Sequence, residues 1–213
     1  MYGPIGQVAI SHRPSHLHTP LLNFSNKYIV LFLFSDYGIN SILYQRGIYP
    51  PESFTRVQDY GLTLLVSTDE QLKEYIDNVI SQIREWLMNM TVQKLVVVVK
   101  SVHTNEVMER WQFDIECDKT VTADTKRNKS EKEIKEGIKS VIRQITASVT
   151  FLPLLETACS FDILVYTDKD LDVPESWGES GPHFVVNSDE VRLRSFTTTI
   201  HKVDAMVTYK KTD

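Results

Sequence analysis

Few residues in this 213-residue chain have the type and spacing to carry out chemistry. His12, His16 and His18 stand close enough to suggest metal ligands, but Pro14 lies between the first two and prevents the shared helical face that a zinc-binding HxxxH requires. Asp168, Asp170 and Asp172 repeat the first three ligand positions of a calcium loop, and Glu179 falls at its twelfth. Val173 stands where that loop needs glycine, and a strand rather than a helix is predicted before it, so calcium binding is not expected. Glycine-rich phosphate cradles, GxSxG and HExxH are all missing. No spacing ties His103, His183 or His201 to a nucleophile, and they read as surface or turn histidines. We therefore expect no catalytic residue, no cofactor and no metal, and a binding module in preference to a hydrolase, which would show turnover.

Composition agrees with that class. The length suits one domain, able to bury roughly 70% of the surface that the unfolded chain exposes. A net charge of −5 argues against non-specific nucleic-acid binding, which depends on many Lys and Arg neutralising phosphates. The longest strongly apolar run, Tyr28–Phe34, falls well short of the roughly 20 residues of a membrane span. Neither nucleic acid nor membrane is expected as a partner. Cys117 and Cys159 form no CxxC and suit a reducing compartment.

The binding surface must be positioned by a few strongly patterned elements. Ser130–Glu156 is predicted to be the central helix: Ile134, Ile138, Val141, Ile142, Ile145, Val149 and Leu152 recur at helical spacing, Ser130 is a candidate N-cap, and Pro153 is the expected stop. Another helix is predicted before Gly47, carrying Ile39, Ile42, Leu43 and Arg46, and another after Thr68-Asp69, with a stripe from Leu72 to Leu87. KLVVVVK (Lys94–Lys100) is apolar on both faces, as a buried strand is, and Val107–Cys117 alternates Trp111, Phe113 and Ile115 with polar residues. These two read as a hairpin, with Trp111, Phe113, Ile138, Ile142 and Ile145 in the core. Ser160–Thr167 reads as a further strand, followed by a polar interval of a length that compact domains usually reserve for function or leave disordered. Val191–Ile200 alternates, and the alternation resumes with shifted parity from Val203 through Val207 to Tyr209, so a bulge or corner is predicted near His201-Lys202. Residues 1–36 fit poorly with the rest and read as a disordered segment or the product of a mispredicted exon boundary. Asp118–Lys129 reads as a mobile loop.

Four stretches, GINSILYQRGIYP (Gly38–Pro50), ERWQFDIECDKT (Glu109–Thr120), SVIRQITASVTFLPLLE (Ser140–Glu156) and EVRLRSFTTTIHKV (Glu190–Val203), closely resemble the spindle-checkpoint branch of the HORMA-domain family. The resemblance implies an α+β fold at 37–213, a mostly antiparallel sheet packed on three helices. It also implies a rearrangeable C-terminal segment at 162–213, the safety belt, which wraps a bound peptide. In that reading Phe184, Phe196, Thr198, Ile200, Val203, Val207 and Tyr209 serve the peptide-binding belt, and Arg143 and Gln144 lie at a dimer interface on the central helix. Without the resemblance, Arg143 belongs to an ordinary solvated basic face. The implied partners are the Fizzy-type activator of the anaphase-promoting complex, the mitotic arrest-deficient one coiled-coil protein, other subunits of the mitotic checkpoint complex, and a second copy of the chain in a homodimer of open and closed conformers. The implied function is delay of anaphase by sequestering that activator, at the nucleus, kinetochore, cytoplasm and spindle pole. The alternative within the family is the accessory subunit of a translesion DNA polymerase.

Overall fold

In a computed structural model, which describes residues 8–13, 37–59, 62–117, 130–168, 173–198 and 201–211, the elements follow in this order. The chain forms β1 (Val8–Arg13), α1 (37–45), β2 (Phe54–Asp59), β3 (Leu62–Ser67), α2 (Glu70–Met88), β4 (Val92–Ser101), β5 (Val107–Cys117), α3 (Glu131–Ser148), β6 (Cys159–Asp168), β7 (Gly178–Glu179), β8 (Ser188–Arg192), β9 (Phe196–Thr197) and β10 (His201–Lys210). The main sheet runs β7-β1-β6-β4-β5-β10-β8, with β9 also on β10; β2 and β3 form a separate hairpin.

The two-sided hydrophobicity of KLVVVVK puts it where it must be. Between β5 and β6, antiparallel to both, Leu95 to Val99 are each at most 2% exposed. Helices cover one face. Ile39, Ile42 and Leu43 of α1, the stripe of α2 and Ile134, Ile138, Val141 and Ile145 of α3 share a core with Trp111, Phe113, Phe161, Ile163 and Val165, while Ile142 is half-buried against it. The β-branched residues of α3 each cost some tenths of a kcal/mol in helix propensity, whereas burying an Ile or Val is worth about 1.5–3 kcal/mol, so packing decides the conformation.

Local signals set the helix ends. Ser130 caps α3 in a reciprocal capping box with Glu133, and Asp69 caps α2 by accepting from the Leu72 amide at 3.0 Å. Gly47 takes a φ of +63° after α1, which a side chain would resist. The predicted central helix stops earlier than expected, at Ser148 and not near Pro153. Its last carbonyls are taken up by side chains, Ser148 Oγ donating to Ile145 O at 2.6 Å and Thr150 Oγ1 to Ala147 O at 2.8 Å, and tight turns carry Leu152 back into the core.

Three further departures matter. Within the N-terminal segment expected to be disordered, Val8–Arg13 is a strand parallel to β6; the other residues of 1–36 lie outside the described residues. The segment Val191–Ile200 is not one strand but β8 and β9, separated by one extra residue relative to β10, and the corner is a full reversal between Thr198 and His201. The hairpin of β2 and β3 was not anticipated.

Candidate functional site

The two long edges of the β4-centred sheet have different occupants. On the β5 side, β10 pairs along its length, from His201 opposite Cys117 to Tyr209 opposite Glu109. On the β6 side, β1 pairs from Val8 opposite Ile163 to Arg13 opposite Asp168, and β7 adds beyond it, with Ala9 opposite Gly178 and Ile10 opposite Glu179. Because β7 and β8 lie at opposite ends of the sheet, residues 180–187 must span its helix-free face. They form a strap.

Polar residues hold that strap to the sheet. Arg110 on β5 donates from Nε to the Pro182 carbonyl at 3.3 Å and from its terminal nitrogen to the Tyr166 hydroxyl at 3.3 Å, and it is oriented by Gln112. Gln112 donates in turn to Asp114 at 2.6 Å, and Asp114 pairs with Lys94 at 3.0 Å. Lys100 pairs with Asp162 beneath the strap. Burial first, and the Lys100 charge second, push the His183 pKa down, which keeps this imidazole neutral next to two cations. The Ser180 hydroxyl meets His183 Nε2 at 2.7 Å. Val185 is buried, while Phe184 and Val186 point outward at 71% and 73% exposure.

Both ends of the belt are anchored on the helices. Trp177 stacks edge-on against Trp86 of α2, their ring centroids 4.7 Å apart, at the beginning of the strap. Beyond β8, the backbone N–H of Arg194 donates to the Gln144 side chain of α3, at the extra residue between β8 and β9. Phe196 then passes so close to α3 that a Cβ on Gly137 would lie 2.8 Å from its Cβ. Thr198 and His201 close the turn, the Thr198 Oγ1 accepting from the His201 amide at 2.9 Å. Val203, Ala205 and Val207 enter the main core with at most 4% exposure, and burial lowers the His201 pKa to about 4.

These positions sort the predicted site residues. Phe196, Thr198, Val203 and Val207 are buried and Tyr209 is half-buried on the β5 side, so none of them borders the β6 edge; Phe184 faces outward on the strap, and Ile200 lies outside the described residues. Arg143 is exposed on α3, whereas Gln144 is engaged within the molecule. Trp111, Phe113, Ile138 and Ile145 are in the core as expected. The belt detaches from the sheet only after Asp168, since residues 162–168 belong to β6. Trp177 and Gly137 were missed; an isolated tryptophan in a polar stretch was the available signal for the first. Of the calcium-loop pattern, Asp170 and Asp172 fall outside the described residues, and among those described no group of three or more His, Cys, Asp or Glu could hold a metal.

A sheet with one strand enclosed between an inner neighbour, an outer strand and a strap is an arrangement for holding an extended segment. A family model described as the HORMA domain matches residues 32–203. The chain belongs to the HORMA-domain family. It is 67% identical over 178 residues to the mitotic spindle assembly checkpoint protein MAD2A of Homo sapiens, a match covering 83% of this chain and 87% of that protein. A chain in a crystal structure of the mitotic checkpoint complex is 44% identical and superposes with a TM-score of 0.79, over 87% of this chain and 99% of that one. The C. elegans protein HTP-2, solved bound to a HIM-3 closure motif, has a TM-score of 0.72 over 87% of this chain and 90% of its own; at 10% identity it shares the HORMA fold alone. This HORMA chain falls in the spindle-checkpoint branch, and the polymerase-subunit alternative is not favoured.

Proposed function

We propose that this HORMA domain captures an extended peptide as a strand on β6, under its belt, and thereby acts in the spindle assembly checkpoint. The observation that carries this is the enclosed lane between β6 and β7, spanned by residues 180–187. A strand held there gains main-chain hydrogen bonds from β6, which supply affinity largely independent of side chains. In this reading the peptide belongs to the Fizzy-type activator of the anaphase-promoting complex or to the mitotic arrest-deficient one coiled-coil protein, and sequestering the activator with other subunits of the mitotic checkpoint complex delays anaphase. Work at the kinetochore and spindle pole, and in nucleus and cytoplasm, follows from those partners. The chain acts by binding, with no reaction to catalyse.

Phe196, Val203, Val207 and Tyr209 take the role of a latch, fastening the belt to β5 and α3 at a distance from the peptide. Arg143 supplies the exposed charge of a helix-mediated homodimer between conformers. Arg143→Glu should therefore shift light scattering toward monomer while costing only a few tenths of a kcal/mol in stability.

The decisive test uses calorimetry with an activator-derived peptide and its alternately N-methylated form, which keeps every side chain but cannot complete a ladder. Tight binding of the first and loss of the second is expected. Equal affinity of the two would overturn strand capture.

A further inference from the structure

The lane on β6 is not vacant, because the chain's own residues Val8–Arg13 fill it. Six residues of β1 pair with β6, Ala9 and Ile10 pair also with β7, and β7 leads directly into the strap. Pro14, with no N–H to donate, follows Arg13, which lies opposite Asp168 at the last residue of β6. The segment thus has what an external occupant of the lane would have: an inner ladder, an outer strand and a strap that continues across the sheet.

We propose that residues 8–13 are a tethered internal ligand, occupying the strand-addition edge in cis and making capture of an outside peptide conditional on their displacement. This rests on the reading of that edge as the peptide site. A tethered segment competes at an effective concentration on the order of millimolar, so it can hold the lane even with weak contacts of its own. If the lane is filled by β1 in about ten molecules for each one free, an outside peptide binds roughly tenfold more weakly than its contacts allow. The N-terminal segment would then set the threshold for capture.

The double variant Ala9→Pro/Ile10→Pro removes the two backbone donors of adjacent residues, which point to opposite neighbours in a strand, and so loosens β1 from both β6 and β7. Amide exchange should show residues 8–13 protected in the full chain and unprotected in the variant, with β5 and β10 protected in both as the control for folding. A fluorescent synthetic peptide of residues 5–15 should bind the variant at least tenfold more tightly than it binds the full chain. Random-coil exchange of residues 8–13 in the full chain, or equal affinity of that peptide for both proteins, would overturn the proposal. Protected residues 8–13 and selective binding of the peptide by the variant, with the activator-derived peptide taken by neither protein, would uphold the internal ligand while refuting the proposed partner.

Discussion

Arg46 and Glu109 form a buried ion pair in which removal of either partner would leave a charge with nothing to balance it. Arg46 Nε reaches Glu109 Oε1 at 2.8 Å, the Trp111 indole donates to Glu109 Oε2 at 3.0 Å, and Arg46 also donates to the Pro153 carbonyl. The pair ties the end of α1 to β5 and to the segment after α3. Arg46→Leu should cost about 3–5 kcal/mol in urea unfolding, and adding Glu109→Leu should recover a large part of that loss, since the stranded charge is the main cost. His201 offers a second test at this scale. Burial holds its folded-state pKa near 4, below the ordinary 6.5, so the unfolded chain takes up a proton as pH falls through about 6.5 while the folded chain does not until about 4. Stability should therefore decline across that window by at most roughly 3 kcal/mol, and His201→Gln should flatten this part of the profile. Neither role could be read from spacing. Arg46 was legible as a helix residue, but its partner lies 63 positions away, and a histidine beside a turn carries no mark of its burial.

Among the elements, α3 was the most legible, because its apolar period and its cap are both local. Its end was not, as Ser and Thr side chains that compete for the last carbonyls look like ordinary helix residues from the sequence. Gly137 was also silent. Glycine within a helix usually costs about 1 kcal/mol relative to alanine, yet here Phe196 occupies the space a methyl group would need. Gly137→Ala should destabilise the docking of β9 despite the better helix propensity, seen as faster amide exchange at Thr197 and Thr198, with α3 itself still protected. The β2–β3 hairpin escaped notice for a different reason. Its strands, Phe54–Asp59 and Leu62–Ser67, alternate only loosely, and the proline pair before it pointed to a break without saying what followed.

At the scale of the whole molecule, sequence patterning identified the longer strands but not their neighbours, because alternation reports a strand's faces and is blind to its edges. That β10 would lie on β5, that β1 would exist at all, and that both would be linked by a strap depends on contacts far apart in the chain. Trp177 is the residue on which the strap's course most depends. Trp177→Ala removes its packing on Trp86 and should weaken the closed belt by about 2 kcal/mol, less than a fully buried tryptophan would cost, read as increased exchange at residues 183–186 while α2 stays protected. The strap has a further consequence in time. Whatever lies on β6 is encircled by covalently continuous backbone and by ladders that run through β4, β5, β10 and β8, so sideways escape must wait for the ring to open. Residence times of different occupants should then converge on a single value set by unlatching, and Trp177→Ala should shorten them all by the same factor.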